Sequence, residues 1–346
     1  MAYTTINKST DYFNTVLYSG NGSTQSITGV GFQPDWTWIK NRNLDGYNHN
    51  VYDAVRGVTK LLKPSGTNAE ITNSTSLTAF GSDGFTLGGT GTGEINQSNG
   101  TYASWNWLAN GQGSSNTDGT INSTYTSAST TSGFSIVTYT GTGANATVGH
   151  GLGVAPTTVW IKQRSGTEGF YTYWKAIGAA NQMTLAGTDA SAAGGVLFNS
   201  TDATSTVFSV GTHGSTNASG STYVAYCFAP ITGFSSINSY TGNGNADGVF
   251  QYLGFKPAWV MIKKTSGTGS WWMFDNKRLG YNPSNSRLYA NDTASGATAT
   301  VIDFLSNGFK FRSDDGELNA SGGTYVYIAF ASSPLVGSNN VPANAR

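Results

Sequence analysis

The residues with the chemistry for catalysis or metal binding are few and widely separated. The 346-residue chain contains three histidines, His49, His150 and His213, and a single cysteine, Cys227. One thiol forms neither a disulfide within the chain nor a cysteine-based zinc site, and its apolar surroundings predict a buried, inert side chain. No nucleophile elbow, nucleotide-binding Walker loop or His-Glu-x-x-His motif occurs. We therefore expect no enzymatic activity, no metal site and no cofactor.

Carboxylates are the remaining candidates for catalysis, because two of them flanking a glycosidic bond can hydrolyse it. Nothing in the sequence ties any two together, so solvated loop charges are the favoured interpretation and a glycan-degrading enzyme the weaker one. The acidic segment 313–317 could offer oxygens to Ca²⁺, but it lacks the ligand spacing of an EF-hand loop. The carboxylates considered are Asp45, Asp53, Glu70, Glu94, Asp275, Asp303, Asp314, Asp315 and Glu317.

Two dense aromatic groups could bind sugars, since ring faces pack against the CH faces of a carbohydrate while polar neighbours bond its hydroxyls. Consecutive strand residues point to opposite faces, so at least one of Trp271 and Trp272 is a candidate for an outward position. The favoured interpretation is that these rings form the core or pack between repeats, and a glycan or partner contact is the weaker one. The candidate residues for a glycan or partner contact are Tyr171, Tyr173, Trp174, Trp271, Trp272 and Phe274.

The composition excludes several functional classes. Charged residues are 10% of the chain, and 18 Lys and Arg balance 18 Asp and Glu. There is no basic field for nucleic acid, and 13% aromatic residues are too many for a disordered chain. The first twenty residues have neither a basic nor an apolar region, so no signal peptide is expected. The most apolar stretch, 223–231, is too short for membrane insertion.

An internal repeat organises the elements that must position these residues. Three copies share an apolar run before a Gly-x-Gly turn, a proline-led strand ending Ile-Lys, and a closing segment from Asn to Tyr. The proline and the closing tyrosine are 68, 67 and 68 residues apart in the three copies. These pairs are Pro34 and Tyr102, Pro156 and Tyr223, and Pro257 and Tyr325. The two aromatic groups occupy the same place in their copies.

The repeat gives the expected domain boundaries. Copy one is 1–109, copy two is 133–231 and copy three is 232–331. The Gly/Ser/Thr-rich segment 110–132 is predicted to be a linker or surface loop, and 332–346 a C-terminal arm that is disordered or docked on another chain. Because only a short connection separates copies two and three, we expect these to pack closely and copy one to be less constrained.

Alternation with a period of two predicts the secondary structure. Thr101–Trp107 places Tyr102 and Ser104 on one face and Trp105 and Trp107 on the other. Short strands separated by glycine turns predict an all-β fold of three tandem antiparallel β-sandwiches of about 100 residues each. The repeated asparagines before each last strand are expected to bond backbone in a turn. They are Asn96, Asn217 and Asn319.

The chain resembles a repeat found in virion structural proteins of tailed bacteriophages, chiefly marine ones. The resemblance rests on segments 29–42, 52–57, 82–87 and 96–107 of copy one, and on 334–342 near the C-terminus. It is partial in the later copies. Copy two has Thr158 where the others have Trp36 and Trp259, and neither later copy keeps the string Asp-Ala-Val-Arg-Gly. The Gly-Phe-x-Leu segment and the Asn-to-Tyr-x-x-Trp ending are also similar to the concanavalin-like sandwich, and this similarity implies jelly-roll or concanavalin-like sandwiches.

The resemblance implies a particle component without known enzymatic residues. We expect a protein of the virion exterior, made in the host cytoplasm, that decorates or cements the capsid. The alternatives are a tail fibre or receptor-binding appendage that contacts host-surface glycans, and a stand-alone lectin-like adhesin. The expected partners are capsid or tail proteins, other copies of the chain and a host-surface glycan, with no nucleic acid. Three sandwiches in one chain would mimic a three-fold arrangement or form a rod.

Overall fold

The structure, a computed structural model, describes residues 3–89, 93–279, 282 and 286–338. It is all-β, with 43% strand and 5% helix, and its paired strands are antiparallel. Short strands follow from the high glycine content and the alternating apolar residues. Helix is confined to single turns, because no segment carries a sustained apolar period of 3.6.

The elements follow one another in the same general order along each copy. In copy one the strands are β1 Phe13–Ser19, β2 Gln25–Thr28, β3 Trp36–Asn41, β4 Asn50–Asp53, β5 Lys60–Leu61, β6 Ile71–Thr72, β7 Leu77–Gly81, β8 Gly84–Leu87 and β9 Thr101–Trp107, with helix α1 Gly93–Asn96 and a 3₁₀ turn at Ser9–Asp11.

The next strands are β10 Ser114–Asn116, β11 Ser123–Ser129, β12 Phe134–Thr140, β13 Ala146–Gly149, β14 Thr158–Gln163, β15 Phe170–Trp174, β16 Asn181–Thr184, β17 Ala192–Ala193, β18 Val207–Val210 and β19 Thr222–Phe228, with helices α2 Gly195–Phe198 and α3 Gly214–Asn217 and a 3₁₀ turn at Lys175–Ile177. Copy three has β20 Ser235–Thr241, β21 Phe250–Tyr252, β22 Phe255–Lys264, β23 Trp272–Asp275, β24 Ser286–Tyr289, β25 Ala297–Thr298, β26 Ile302–Leu305, β27 Gly308–Phe311 and β28 Thr324–Pro334.

Each copy contributes one large and one small sheet, and copy one adds the two-stranded pair β5-β6. The large sheets have the orders β1-β9-β3-β4, β10-β11-β12-β19-β14-β15-β16-β17 and β20-β28-β22-β23-β24-β25. The small sheets are β2-β8-β7, β13-β18 and β21-β27-β26. In every large sheet the last long strand of the copy is paired on one side by the first strand and on the other by the proline-led strand. The three copies thus share this pairing as well as the spacing between the proline and the closing tyrosine.

The turn before each last strand has the same construction in all three copies, as the repeated asparagines predicted. The buried Asn96 side chain donates to the carbonyls of Ser23 and Gly88. Asn217 donates to Ala144 and Gly211, and Asn319 to Asn245 and Ser313. A tyrosine of the first strand stacks on the closing tyrosine nearby, with ring centroids 4.9, 5.0 and 4.8 Å apart. These stacked pairs are Tyr18 with Tyr102, Tyr139 with Tyr223 and Tyr240 with Tyr325.

Both faces of the large sheets are buried along their central strands. One face of the first large sheet packs within its own copy, where Ile39 and Tyr102 join Phe85 and Leu87. The opposite face contributes Trp36 and other rings to an aromatic core shared by all three copies. Aromatic rings meet at all three boundaries between copies, and one pair at each has its centroids 6.1, 5.7 and 6.1 Å apart. The pairs are Trp36 with Trp160, Trp107 with Trp259, and Phe228 with Phe330.

Three expectations about the chain's organisation are wrong. Copy one is not less constrained, because the shared core joins it to both other copies. Segment 110–132 is not a bare linker, since it contains β10 and β11, which extend the second large sheet. Residues 332–334 continue β28, and the backbone N–H of Ser338 donates to the Asn7 side chain at 2.7 Å. The arm is therefore docked on its own chain as far as 338, and 339–346 lie outside the described residues.

Candidate functional site

The aromatic residues predicted to contact a glycan are mostly interior. Trp174, Trp271, Trp272, Tyr173 and Phe274 are each no more than 2% exposed, so they offer no ring face to an external sugar, and the prediction of an outward Trp271 or Trp272 is wrong. Strand alternation does place these two rings on opposite faces, but both faces are covered by protein.

Two of these tryptophans meet at the boundary between copies two and three. The rings of Trp174 and Trp271 lie 6.0 Å apart, and the Trp271 indole N–H donates to the Thr184 carbonyl at 2.9 Å. Trp272 faces its own copy, where its N–H donates to Glu317 at 2.8 Å. Tyr171 alone of the six is partly exposed, beside His213 at 6.2 Å between ring centroids. The predicted site is therefore an internal interface.

The boundary between copies one and two holds a buried network of charges. The Arg56 guanidinium pairs with Asp53 and Glu70, and the Tyr226 hydroxyl of copy two donates to Asp53 at 2.7 Å. Arg164 of copy two binds Glu70 with two hydrogen bonds of 2.8 and 3.0 Å. Burial alone would lower the pKa of Arg56, but Asp53, Tyr226 and Glu70 raise it above its ordinary value. Arg56 is therefore charged, and each of its carboxylate partners bonds both copies.

An equivalent aspartate–arginine pair lies at the boundary between copies three and one. Asp275 opposes Trp259 in the strand register as Asp53 opposes Trp36. Asp275 pairs with Arg278 and accepts the indole N–H of Trp105 of copy one at 3.1 Å. Sequence reasoning missed this pair. The sequence signal for it is the spacing Asp-x-x-Arg, which copies one and three share at 53–56 and 275–278. This signal is not visible when the whole string Asp-Ala-Val-Arg-Gly is compared between copies.

His49 adds a hydrogen-bonded contact to that boundary. Its Nδ1 accepts the Trp38 indole N–H at 2.8 Å, and its Nε2 donates to the Tyr289 carbonyl of copy three at 2.9 Å. Burial lowers the pKa of His49 well below its ordinary value, so the ring is neutral. Both ring nitrogens are engaged in structure, which leaves neither as a base or a metal ligand.

A buried lysine at the end of each proline-led strand reaches a neighbouring copy. The ammonium groups donate to the carbonyls of Thr293, Thr67 and Thr188 at 3.2, 3.3 and 3.1 Å. These contacts form a cycle. The lysine of copy one reaches copy three, the lysine of copy two reaches copy one, and the lysine of copy three reaches copy two. Burial lowers the pKa of each lysine from 10.5 to about 8. These lysines are Lys40, Lys162 and Lys263.

Backbone hydrogen bonds repeat the cycle two residues beyond each lysine. The carbonyls of Arg42, Arg164 and Thr265 accept N–H groups from copies three, one and two at 2.7, 2.8 and 3.0 Å. The donors are Gly296, Glu70 and Ser191. Each copy thus contacts both others through equivalent residues.

Residues 8–334 match a family described as a domain of unknown function, DUF7483. The chain belongs to this family. No curated protein matches it significantly. The DUF7483 match includes all three copies, and the lysines, ion pairs and tryptophans at their boundaries lie within it.

The other residues considered for catalysis have structural partners or lie in loops of this DUF7483 chain. The candidate carboxylates beyond the two buried networks bond mainly to neighbouring lysine, arginine and backbone groups. Examples are Glu94 with Lys63, Asp303 with Arg312, Asp45 with the Ser295 N–H, and Asp315 with the Glu317 N–H. Burial raises the pKa of the Cys227 thiol to about 12, as its buried position predicted.

The open spaces on the described surface include a groove and a cleft. A groove of about 610 Å³ lies in copy two, and a cleft of about 280 Å³ lies between copies two and three beside Trp174. Neither is lined by a carboxylate or a histidine. Over the described ranges, no group of His, Cys, Asp and Glu is arranged to hold a metal ion. None of the helices described is long and apolar enough to cross a membrane.

Proposed function

We propose that this chain is a non-enzymatic structural protein of the exterior of a tailed-phage particle, where it decorates or cements the capsid. The resemblance of its repeat to virion proteins provides the particle context. The cyclic contacts of Lys40, Lys162 and Lys263 carry the architectural part of the proposal. They are the contacts that a closed ring requires and that a linear rod lacks.

The proposed architecture is a ring of three antiparallel β-sandwiches related by a pseudo-three-fold axis. Its support is the pairing of one large and one small sheet in each copy, the shared aromatic core, and boundary contacts that run in one rotational direction. Such a ring presents three similar surfaces, and it therefore suits a position where three copies of a shell protein meet. A stacked array or coiled-coil stem would favour a fibre instead.

The chemistry of the ring suits a particle exposed to salt water. Salt screens exposed ion pairs strongly and buried ones weakly. Here Arg56, Arg278 and their carboxylate partners Asp53 and Asp275 are at most 2% exposed, whereas the whole chain has few charges. Cohesion that depends on aromatic packing and buried pairs would persist at high ionic strength.

Imaging purified particles with and without this protein tests the proposal. Density on the head lattice supports capsid decoration, and three-fold sites there support the ring geometry. Density at the tail replaces decoration with the appendage alternative. A protein absent from the particle contradicts the virion proposal and favours the lectin-like adhesin.

A further inference from the structure

The small sheet of copy two has a different construction from its counterparts. The small sheets of copies one and three have three strands, ending in β7 and β26, whereas that of copy two has only β13 and β18. Helix α2, Gly195–Phe198, lies beside β18 instead, and its Leu197 carbonyl accepts the Gly211 N–H at 2.9 Å. This replacement is special to copy two, so the common fold does not require it.

The groove of about 610 Å³ lies at this replacement, and its size is within the range typical of small-molecule sites. Val196 is 57% exposed and gives the groove an apolar surface. No charged residue lines it. The lining residues are Asn145, Ala193, Gly194, Gly195, Val196, Asn199, Ser200 and Thr212.

Four lining side chains present uncharged hydrogen-bonding groups at the surface of the groove, and three of the four residues are exposed. They differ from Asn96, Asn217 and Asn319, whose side chains all bond backbone. An amide both donates and accepts, and a hydroxyl does the same, so together they complement a ligand rich in hydroxyl groups. The four residues are Asn145, Asn199, Ser200 and Thr212.

The backbone conformation of two of these residues is fixed at the groove. Asn199 and Ser200 are both left-handed, with φ of 52° and 44°, and the Ser200 N–H donates to the Gly195 carbonyl at 2.9 Å. A Cβ atom at position 195 would lie only 2.4 Å from the Ser200 hydroxyl oxygen. An alanine at 195 would therefore displace the Ser200 hydroxyl from this position.

We propose that this groove binds a neutral saccharide of one or two sugar units. Val196 would contact a CH face of the sugar, and the amides and hydroxyls would bond its hydroxyl groups. A charged ligand finds no counter-charge in the lining, and a wholly apolar ligand leaves the polar groups unpaired. This inference goes beyond the virion proposal and does not depend on it.

Nuclear magnetic resonance of the full-length chain, labelled with ¹⁵N, tests the inference. The probes are glucose, galactose, mannose, maltose and lactose, with glucuronate and sialic acid as charged comparators. We expect saturable shifts of the Asn145 and Asn199 side-chain amide signals with at least one neutral sugar and none with the charged ones. No shift with any neutral sugar, or a response to charged sugars alone, overturns the proposal.

Matched variants locate the binding. Asn145→Ala and Thr212→Val should each weaken the affinity about fivefold, the effect of one hydrogen bond. Asn199→Gly keeps the left-handed backbone while removing the amide, and should weaken it similarly. Thr24→Ala alters the corresponding loop of copy one and should leave the affinity unchanged. The control requires that the variants unfold at the same temperature as the wild type. If Thr24→Ala and Asn145→Ala then weaken the sugar affinity equally, the sugar binds elsewhere.

Discussion

Two boundaries of the molecule occupy equivalent places but are held by different chemistry. Between copies one and two, Asp53 and Arg56 form a buried ion pair, and the Asp53 carboxylate also accepts a hydrogen bond from the Tyr226 hydroxyl. Between copies two and three, the residue in the position of Asp53 is Trp174, which packs against Trp271. Paired charges and packed rings thus fill the same kind of space. The comparison teaches that this position accepts different residue types, provided that the side chain there is fully paired or packed against the neighbouring copy.

Removing one member of the ion pair should have the largest effect. Asp53→Ala leaves the Arg56 guanidinium buried with less compensation and removes the acceptor of Tyr226. We expect a loss of about 3–5 kcal/mol in the free energy of unfolding, measured by chemical denaturation. A loss below about 1 kcal/mol would show that the boundary does not depend on the pair.

Replacing the whole pair by apolar residues should cost less than breaking it. The variant Asp53→Leu/Arg56→Met/Tyr226→Phe imitates the chemistry of the boundary between copies two and three. Because no buried charge or hydroxyl of the trio is left unpaired, we expect a loss below about 2 kcal/mol, measured in the same denaturation series. If the triple variant is less stable than Asp53→Ala, the two boundaries are not interchangeable.

The buried lysines should make stability depend on pH. Their folded pKa of about 8 is below the ordinary 10.5, so between these values the unfolded chain binds more protons. Their contribution to stability therefore rises with pH from about 8 to 10.5, by up to about 1.4 kcal/mol per pH unit for each lysine.

Lys162→Met isolates one of these groups. The difference in unfolding free energy between the wild type and Lys162→Met should change by about 1 kcal/mol between pH 8 and 9, in favour of the wild type at higher pH. Titrations of Cys227 and the tyrosines are common to both proteins and cancel. A constant difference would mean that Lys162 stays protonated in the folded protein and keeps its ordinary pKa over this range.

An exposed ion pair should contribute least. Lys8 and Asp11 pair with side chains 69% and 48% exposed, so water and salt weaken their attraction. Asp11→Ala should change the unfolding free energy by less than about 1 kcal/mol. Comparable losses from Asp11→Ala and Asp53→Ala would contradict the distinction between exposed and buried pairs.

The sequence by itself determined the local construction of this protein. Antiparallel strands, the turn asparagine Asn96 and its counterparts, and the burial of Cys227 follow from alternation, spacing and composition, because these features depend on neighbours along the chain. The equivalence of Asp53 and Asp275 was also present in the spacing Asp-x-x-Arg. It could have been found by comparing single charged positions between copies.

Only the tertiary structure decided which surfaces are covered. Alternation assigns Trp271 and Trp272 to opposite faces of a strand, but it cannot show that copy two covers one face while copy three covers the other. The groove beside Val196 was equally hidden, because it arises where α2 replaces a strand and brings Asn145 near Asn199. Burial depends on contacts between residues far apart in sequence, and those contacts are set by how the copies pack.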